Sequence, residues 1–586
     1  MAMLFWRSDV QVNKGNVVMK LVCRCLLISL VLLVLQGSNA QAQRGTAATK
    51  ERFDNLLPQT MRGNNVDMWI HVLQPWNPFG EGGETDYLQL GTDSGYCIFT
   101  DRGGDRIERA VFEAYGDIRA RELYDIIGNE TDGMWSAGSR FAGIGEFVAE
   151  RDPRQIAIDL GGISYADYRR LTEEIGEKYA KRLTSADDLL ADFRPSSVRR
   201  EDSRFRQPEA WTNLIRRDKF DFVLPQVMRD NKIDMWIHVI RDWDLLNLGT
   251  AAGYGVFTDR GGDRIERALF SYNDDIQDAG AYDVVNVIEN SDLRFANLRE
   301  FVAKRDPERI GVNFSERLQF ADGVSFEDYT LLADAIGDRY AKRIVTADIL
   351  VTDYLSGKVV SELVGFGQSG AAMAERMGRR FEGIKPGVTA LSEIRGNVFI
   401  RDRDGRESFQ DDYIIQRGDL VGTPHASAYI LREGETELPP EHQGLWEHGM
   451  AVRGILRRNI FPGRTAKETL DFLIGKLEEA GYVYTDRDRY DRNLDPDKTQ
   501  VHLDLHTMGV ADELVGPRIS PLGPDWVRDL TIPLNHTFAL EYMIHMPVPK
   551  WGKGKHLYLP FHDSGVVTER GVEFRYPPVD KIFVIR

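Results

Sequence analysis

Residues 501–509 read Val501-His502-Leu503-Asp504-Leu505-His506-Thr507-Met508-Gly509, and apolar and polar side chains alternate strictly through His506. Period 2 is the signature of a strand with one buried face, and here it places His502, Asp504 and His506 together on the other face. Two imidazoles and a carboxylate lining one side of a strand form a donor set suited to metal chemistry, so this stretch sets what the surrounding sequence must supply.

Working outward, residues 358–586 hold nine of the eleven histidines and carry a weak repeat. Lys385-Pro386-Gly387-Val388-Thr389 is echoed by Phe461-Pro462-Gly463-Arg464-Thr465, each after a helical stretch. The second copy opens a helix: Thr465 and Glu468 have capping-box spacing, Leu470, Leu473, Ile474 and Leu477 form an apolar stripe, and Gly481 supplies the stop. Downstream come Gly516-Pro517-Arg518, then Phe538-Ala539-Leu540-Glu541, and finally Phe561-His562-Asp563 followed by Val566-Val567-Thr568-Glu569-Arg570-Gly571.

The first two thirds are a duplication. Arg52-Phe53-Asp54, Leu57-Pro58-Gln59 and Asp67-Met68-Trp69-Ile70-His71 return as Lys219-Phe220-Asp221, Leu224-Pro225-Gln226 and Asp234-Met235-Trp236-Ile237-His238. Phe99 through Arg109 returns as Phe257 through Arg267, and Tyr179-Ala180-Lys181-Arg182 as Tyr340-Ala341-Lys342-Arg343. A period of about 160 residues is the size of a whole domain. Each copy alternates helix and strand signals, with Met68–Val72 and Tyr96–Thr100 as strands, which predicts an α/β unit. His71 and His238 fall in apolar strands and are expected to be packed, hydrogen-bonded residues. The Gly-Gly pairs at 103 and 261 lack the spacing of a phosphate loop and read as turns.

The chain has 586 residues, 42% hydrophobic and 28% charged, with a formal charge of −17. Lys20 and Arg24 precede the apolar run Leu26–Leu35, and Ala40 and Ala42 offer an A-x-A cleavage site, so residues 1–42 read as a signal peptide. Met19 is an alternative start. The run is too short to span a bilayer, so an exported product without a membrane anchor is expected, periplasmic or secreted. Its removal takes away four basic residues and one acidic residue and carries the charge to −20, which argues against a nucleic-acid partner. Cys23 and Cys25 leave with the leader, and Cys97 reads as a buried structural thiol.

Together these motifs resemble the creatinase/prolidase pita-bread metallopeptidases, and specifically the three-domain aminopeptidases P that act on Xaa-Pro peptides. The resemblance implies an α/β (α+β) chain. Residues 43–205 and 206–357 would be two tandem creatinase-type N-terminal domains, and 358–586 the pita-bread domain. It places His506 and Glu541 as metal ligands and His502 on the substrate side, and it implies a peptide with proline at the second position as partner and a homodimer as the assembly. The family's site holds two ions and two aspartates, and this sequence departs from that pattern. After Gly418-Asp419-Leu420, only Val421 to Ser427 separate Leu420 from the strand expected at Ala428–Leu431, with no carboxylate among them. This reads as loss of the first ligand strand and replacement of the second aspartate near Pro424. His562 stands where the last glutamate is expected, and Glu513 replaces a histidine.

His506, Glu541 and His562 therefore form the expected metal set, open to Asp504 or His425, with one divalent ion, zinc or manganese, or none. His502 and Glu513 are the expected catalytic residues. The alternative is a pseudoenzyme that keeps the fold for peptide binding or assembly. His442 and His448 are expected to be solvated, and His536, His545 and His556 to lie at exposed strand ends.

Overall fold

The computed structural model describes residues 49–73, 88, 90, 92, 95–104, 106–113, 121–129, 141–193, 209–240, 246–272, 274, 276–288, 294–316, 318, 321–364, 379, 381–394, 399–401, 407–408, 412–423, 425–508 and 516–586. The expected leader, Pro424 and Glu513 lie outside the described residues. The chain is mixed α/β, as the alternation of helix and strand signals predicts, and its described strands form four sheets.

The first sheet contains β1 (Met68–Val72), β2 (Tyr96–Thr100), β3 (Glu108–Glu113), β4 (Ile126–Asn129), β5 (Ile156–Ile158) and β6 (Leu183–Ser185), in the order β4-β3-β2-β1-β5-β6. The second contains β7 (Met235–Ile240), β8 (Gly253–Thr258), β9 (Glu266–Ser271), β10 (Val284–Val287), β11 (Ile310–Val312) and β12 (Ile344–Thr346), in the same order, β10-β9-β8-β7-β11-β12. The central strands β1 and β7 are buried along their whole length because helices cover both faces, which is why Met-Trp-Ile-His-Val reads as a continuous run rather than an alternating one. His71 and His238 are buried against Trp69 and Trp236, and burial pushes their rings down to about 4 and about 3. Cys97 is buried in β2, 3.4 Å from the Tyr124 hydroxyl. Gly103 and Gly261 are turn residues at positive φ, each donating its N–H to the aspartate two residues earlier.

Equivalent segments of the two copies meet. Helix α1 (Tyr165–Ala180) is capped by Ser164, and α2 (Phe326–Ile336) by Ser325, each serine accepting the N–H of the aspartate three residues on. The two caps form a β-bridge, and Tyr165 stacks on Tyr329 at 3.7 Å while Tyr168 stacks on Phe326 at 3.8 Å. Helix α3 (Asp348–Ser356) then leads into the last third.

There the strands are β13 (Phe399–Arg401), β14 (Glu407–Ser408), β15 (Leu420–Thr423), β16 (Ala426–Ile430), β17 (Val483–Tyr484), β18 (Gln500–Thr507), β19 (Thr537–Pro547), β20 (His556–Thr568), β21 (Gly571–Phe574) and β22 (Phe583–Ile585). They form two five-stranded sheets, β14-β13-β15-β16-β22 and β17-β18-β19-β20-β21. Helices α4 (Pro440–Asn459) and α5 (Ala466–Glu479) pack on one face of the second of these through Leu445, Val452, Leu456, Leu473 and Leu477, which meet Leu503, Leu505, Leu540, Tyr542 and Phe561. The capping box of α5 forms as the spacing predicts, with Glu468 N–H 3.1 Å from Thr465 Oγ1 and Thr465 N–H 2.9 Å from the Glu468 carboxylate. At Gly449 the helix approaches so closely that a Cβ would stand 2.0 Å from the Phe561 ring.

Two expectations are corrected. Leu420–Thr423 is a strand, paired antiparallel with β16 from Leu420↔Tyr429 to Thr423↔Ala426, so the segment read as lacking a strand is a tight hairpin that carries no carboxylate. The histidines expected at the surface are mostly inside. His442 shares the inward stripe of α4 with Leu445, Gly449, Val452 and Leu456, packs on Tyr429 at 4.5 Å, and is pushed down to about 4, chiefly by burial. His536 and His545 are buried, His448 is half-buried beside the Tyr482 hydroxyl, and His556 stacks on Tyr490 at 4.0 Å. The Glu- and Gly-rich composition of α4 hid a stripe that helical spacing carries.

Candidate metal site

The polar face opposite the α4/α5 core is built by three consecutive antiparallel strands. Their register sets Asp504 beside Glu541 and Glu541 beside His562, with His506 beside Ala539 one step further along. Directly opposed residues share a face, so His502, Asp504, His506, Glu541 and His562 all project to the same side of the sheet. Period 2 in β18 is what commits them there, since Leu503 and Leu505 must face the core.

The structure brings His506, Glu541 and His562 together. One ligand atom from each lies within 4.8 Å of the other two, and among the described residues this is the one such group of three or more. His506 Nε2 is 3.4 Å from Glu541 Oε2. Two ligands each about 2.1 Å from a tetrahedral ion stand about 3.4 Å apart, so this spacing suits a shared ion. His506 Nδ1 is 3.2 Å from the Thr507 carbonyl oxygen. A carbonyl can only accept, so Nδ1 carries the proton and Nε2 presents its lone pair towards Glu541. His562 Nδ1 is buried without a hydrogen-bond partner. Burial first, then the neighbouring His425 and His506, push the His562 ring down to about 3, which keeps it in the neutral, ligand-competent form at ordinary pH. Glu541 keeps 24% of its side chain exposed, so the set opens to solvent on one side.

The other candidates are placed differently. Asp504 lies next to the group in register, but its carboxylate is gripped by Arg518 at 2.7 and 2.6 Å. Burial pushes that carboxyl up, and the hydrogen bonds and charge of Arg518 more than reverse this, leaving it below its ordinary value. Arg518 arrives through the bridge between Leu505 and Ile519. His425, in the β15–β16 turn, packs edge-on against His562 at 4.2 Å, with Nδ1 3.4 Å from the His562 carbonyl oxygen. Asp419 accepts the Gln416 N–H at 2.6 Å and the Tyr413 hydroxyl at 3.1 Å, which makes it a turn residue. His502 is fully buried, one step from Asp504 on the side away from His506. Its Nδ1 lies 3.0 Å from the Thr485 carbonyl oxygen, and its Nε2 has no partner.

The donor set therefore fits one divalent ion, held by two imidazoles and a carboxylate with room for water. It does not fit a pair of ions. A dinuclear centre needs carboxylates that bridge. Among the described residues, Asp504 is held by a guanidinium, Asp419 by its own turn, and the hairpin offers none.

No protein-family model matches the sequence, and no curated protein does. Among solved structures, the chain is similar to an X-Pro aminopeptidase from Thermotoga maritima, with 17% identity over 61% of this chain and 100% of that one and a TM-score of 0.40. It is similar to an Xaa-Pro dipeptidase from Bacillus anthracis, with 14% identity over 64% and 100% and a TM-score of 0.40. It is also similar to an X-prolyl aminopeptidase from Caenorhabditis elegans, described as a cytosolic enzyme with a di-nuclear active site, with 10% identity over 91% and 90% and a TM-score of 0.45.

Proposed function

We propose that this chain is an exported homologue of the Xaa-Pro aminopeptidases in which a single divalent ion, bound by His506, Glu541 and His562, replaces the family's two-ion centre. The observation that carries this reading is the convergence of those three side chains from three adjacent strands, with His506 already in the tautomer that offers Nε2. The division into two creatinase-type units at 43–205 and 206–357 and a pita-bread unit at 358–586 belongs to the same proposal, as does a homodimer.

A bound ion at this set would polarise a peptide carbonyl and acidify a bound water. The chain's own residues do the rest. Glu541, partly exposed, holds the open side of the set. His425 crowds His562 from the hairpin and limits its swing. His502, on the same face, keeps a buried Nε2 without a hydrogen-bond partner and is the proposed substrate-side residue. Glu513 completes the proposed catalytic residues as a base.

A second reading is favoured by a specific observation. With Asp504 committed to Arg518, the carboxylate nearest the set is unavailable as a bridge, and a site so reduced suits binding of proline-containing peptides without cleavage. One assay separates the two. The purified mature protein is incubated with Xaa-Pro peptides and added manganese, cobalt or zinc, and both cleavage and peptide binding are followed with and without chelator. Chelator-sensitive cleavage supports the peptidase, binding without cleavage supports the pseudoenzyme, and neither rejects both.

A further inference from the structure

The histidine just before β19 makes contacts that metal binding alone does not require. His536 is fully buried. Its Nδ1 is 3.3 Å from the Ser356 carbonyl oxygen at the end of α3, and its Nε2 is 3.3 Å from Thr507 Oγ1 at the end of β18. The Ser356 oxygen can only accept, so Nδ1 carries the proton and Nε2 faces the Thr507 hydroxyl as an acceptor, a role it shares with the Pro517 carbonyl oxygen 3.4 Å from Thr507 Oγ1. Burial pushes the ring down to about 3, so at ordinary pH it holds one proton and this assignment is fixed.

Thr507 is the residue whose carbonyl oxygen receives His506 Nδ1. The peptide group between Thr507 and Met508 is therefore what sets the His506 tautomer. It is gripped twice: the Met508 N–H donates to the Thr537 carbonyl at 2.9 Å, and the Thr507 side chain is held by His536. The junction is tightly packed. A Cβ on Gly516, which sits at φ +110°, would stand 2.8 Å from Thr507 Oγ1, 3.0 Å from Ser356 Oγ and 3.2 Å from the His536 ring.

We propose that His536 is a positioning residue for His506, holding Thr507 so that the His506 Nε2 lone pair faces Glu541 and His562, and tying the metal set to the end of α3. This rests on the reading of His506, Glu541 and His562 as a metal set. The physical reason is general: the partner of a ligating imidazole's second nitrogen fixes its tautomer and orientation, and disturbing that partner lowers metal affinity.

The test uses the full mature chain with zinc or manganese as the probe. His536→Phe keeps the ring and its edge contact with Phe538 but removes both nitrogens, Thr507→Val removes the hydroxyl alone, and His536→Gln keeps an acceptor within reach of Thr507. Chelator competition should show affinity falling ~10–100-fold in the first two, with the Gln variant recovering to within ~3-fold of the parent. The double variant His536→Phe/Thr507→Val should lose no more than Thr507→Val alone, because the valine already removes the contact that the phenylalanine removes. Nitrogen-15 NMR of the metal-free protein should show His506 as a single Nδ1–H tautomer in the parent and as a mixture in the Phe and Val variants. The proposal is overturned if the folded Val variant binds like the parent and leaves the His506 tautomer unchanged. Should the parent bind no ion, the metal reading fails while the tautomer comparison still decides the positioning role. Should the Phe variant not fold, the Val variant decides it.

Discussion

Strands β18–β20 and the β15–β16 hairpin belong to neighbouring sheets of the last third and meet at His425 and His562, yet they differ in what they bring to the groove. The three long strands deliver two histidines and a glutamate to one point, and the hairpin delivers one imidazole from its turn and no carboxylate. A strand whose alternate residues are locked into a core keeps its polar face aligned, whereas a hairpin of four paired positions reaches the neighbouring sheet through its turn, at His425. The three strands thus carry a complete candidate one-ion set without the hairpin.

The largest expected effect breaks this contrast directly. Single replacement of His506, Glu541 or His562 by Ala should abolish stoichiometric ion binding measured by calorimetry, while Thr423→Ala and Ser427→Ala in the hairpin should leave it intact. Loss of the ion from a hairpin variant would show that both sheets supply ligands. Next comes the Asp504–Arg518 pair. Arg518→Met leaves a buried carboxylate unpaired and should cost about 3–5 kcal/mol in urea unfolding. Asp504→Asn combined with Arg518→Met should recover most of that, which would mark the pair as structural rather than part of the ion site.

A third prediction extends the contrast to the seam between the twin sheets, where a buried acid is left beside another acid. Asp322 packs among Asp167, Ser164, Ser315 and Arg170, and burial, then the Asp167 charge, push it up to about 8. A folded-state value raised above the unfolded one means the native chain holds an extra proton. That stability is fully present below about 4, the ordinary carboxylate range, and is lost as pH rises towards and through 8. Asp322→Asn should flatten the melting-temperature profile between pH 5 and 8, and an unchanged slope would point to a different titrating group. The smallest effect serves as a control. Thr465→Ala breaks the capping box of α5 and should cost about 1 kcal/mol without changing ion content.

The parts of the molecule that were legible in sequence are those governed by short-range rules. Met68–Val72 and Tyr96–Thr100 are strands at the expected bounds, the Thr465–Glu468 box starts α5, and period 2 in β18 put His506 on the correct face. What stayed hidden depends on contacts between distant segments. Arg518 lies in a quoted motif, but its claim on Asp504 follows from a bridge 14 residues away in sequence that no local pattern announces. His536 ends the turn before β19 and is buried by α3, while His545 lies inside β19 and is buried between the facing strands, opposite Gln500 and Tyr558. For His442 the signal was present, since it stands three and seven residues before Leu445 and Gly449 on one helical stripe.

The most direct test of the one-ion account is elemental analysis of the purified mature protein after equilibration with zinc or manganese, repeated on the His506→Ala/His562→Ala variant. The account predicts one divalent ion per chain in the parent and none in the variant. Two ions per chain, or an ion retained by the variant, would contradict it.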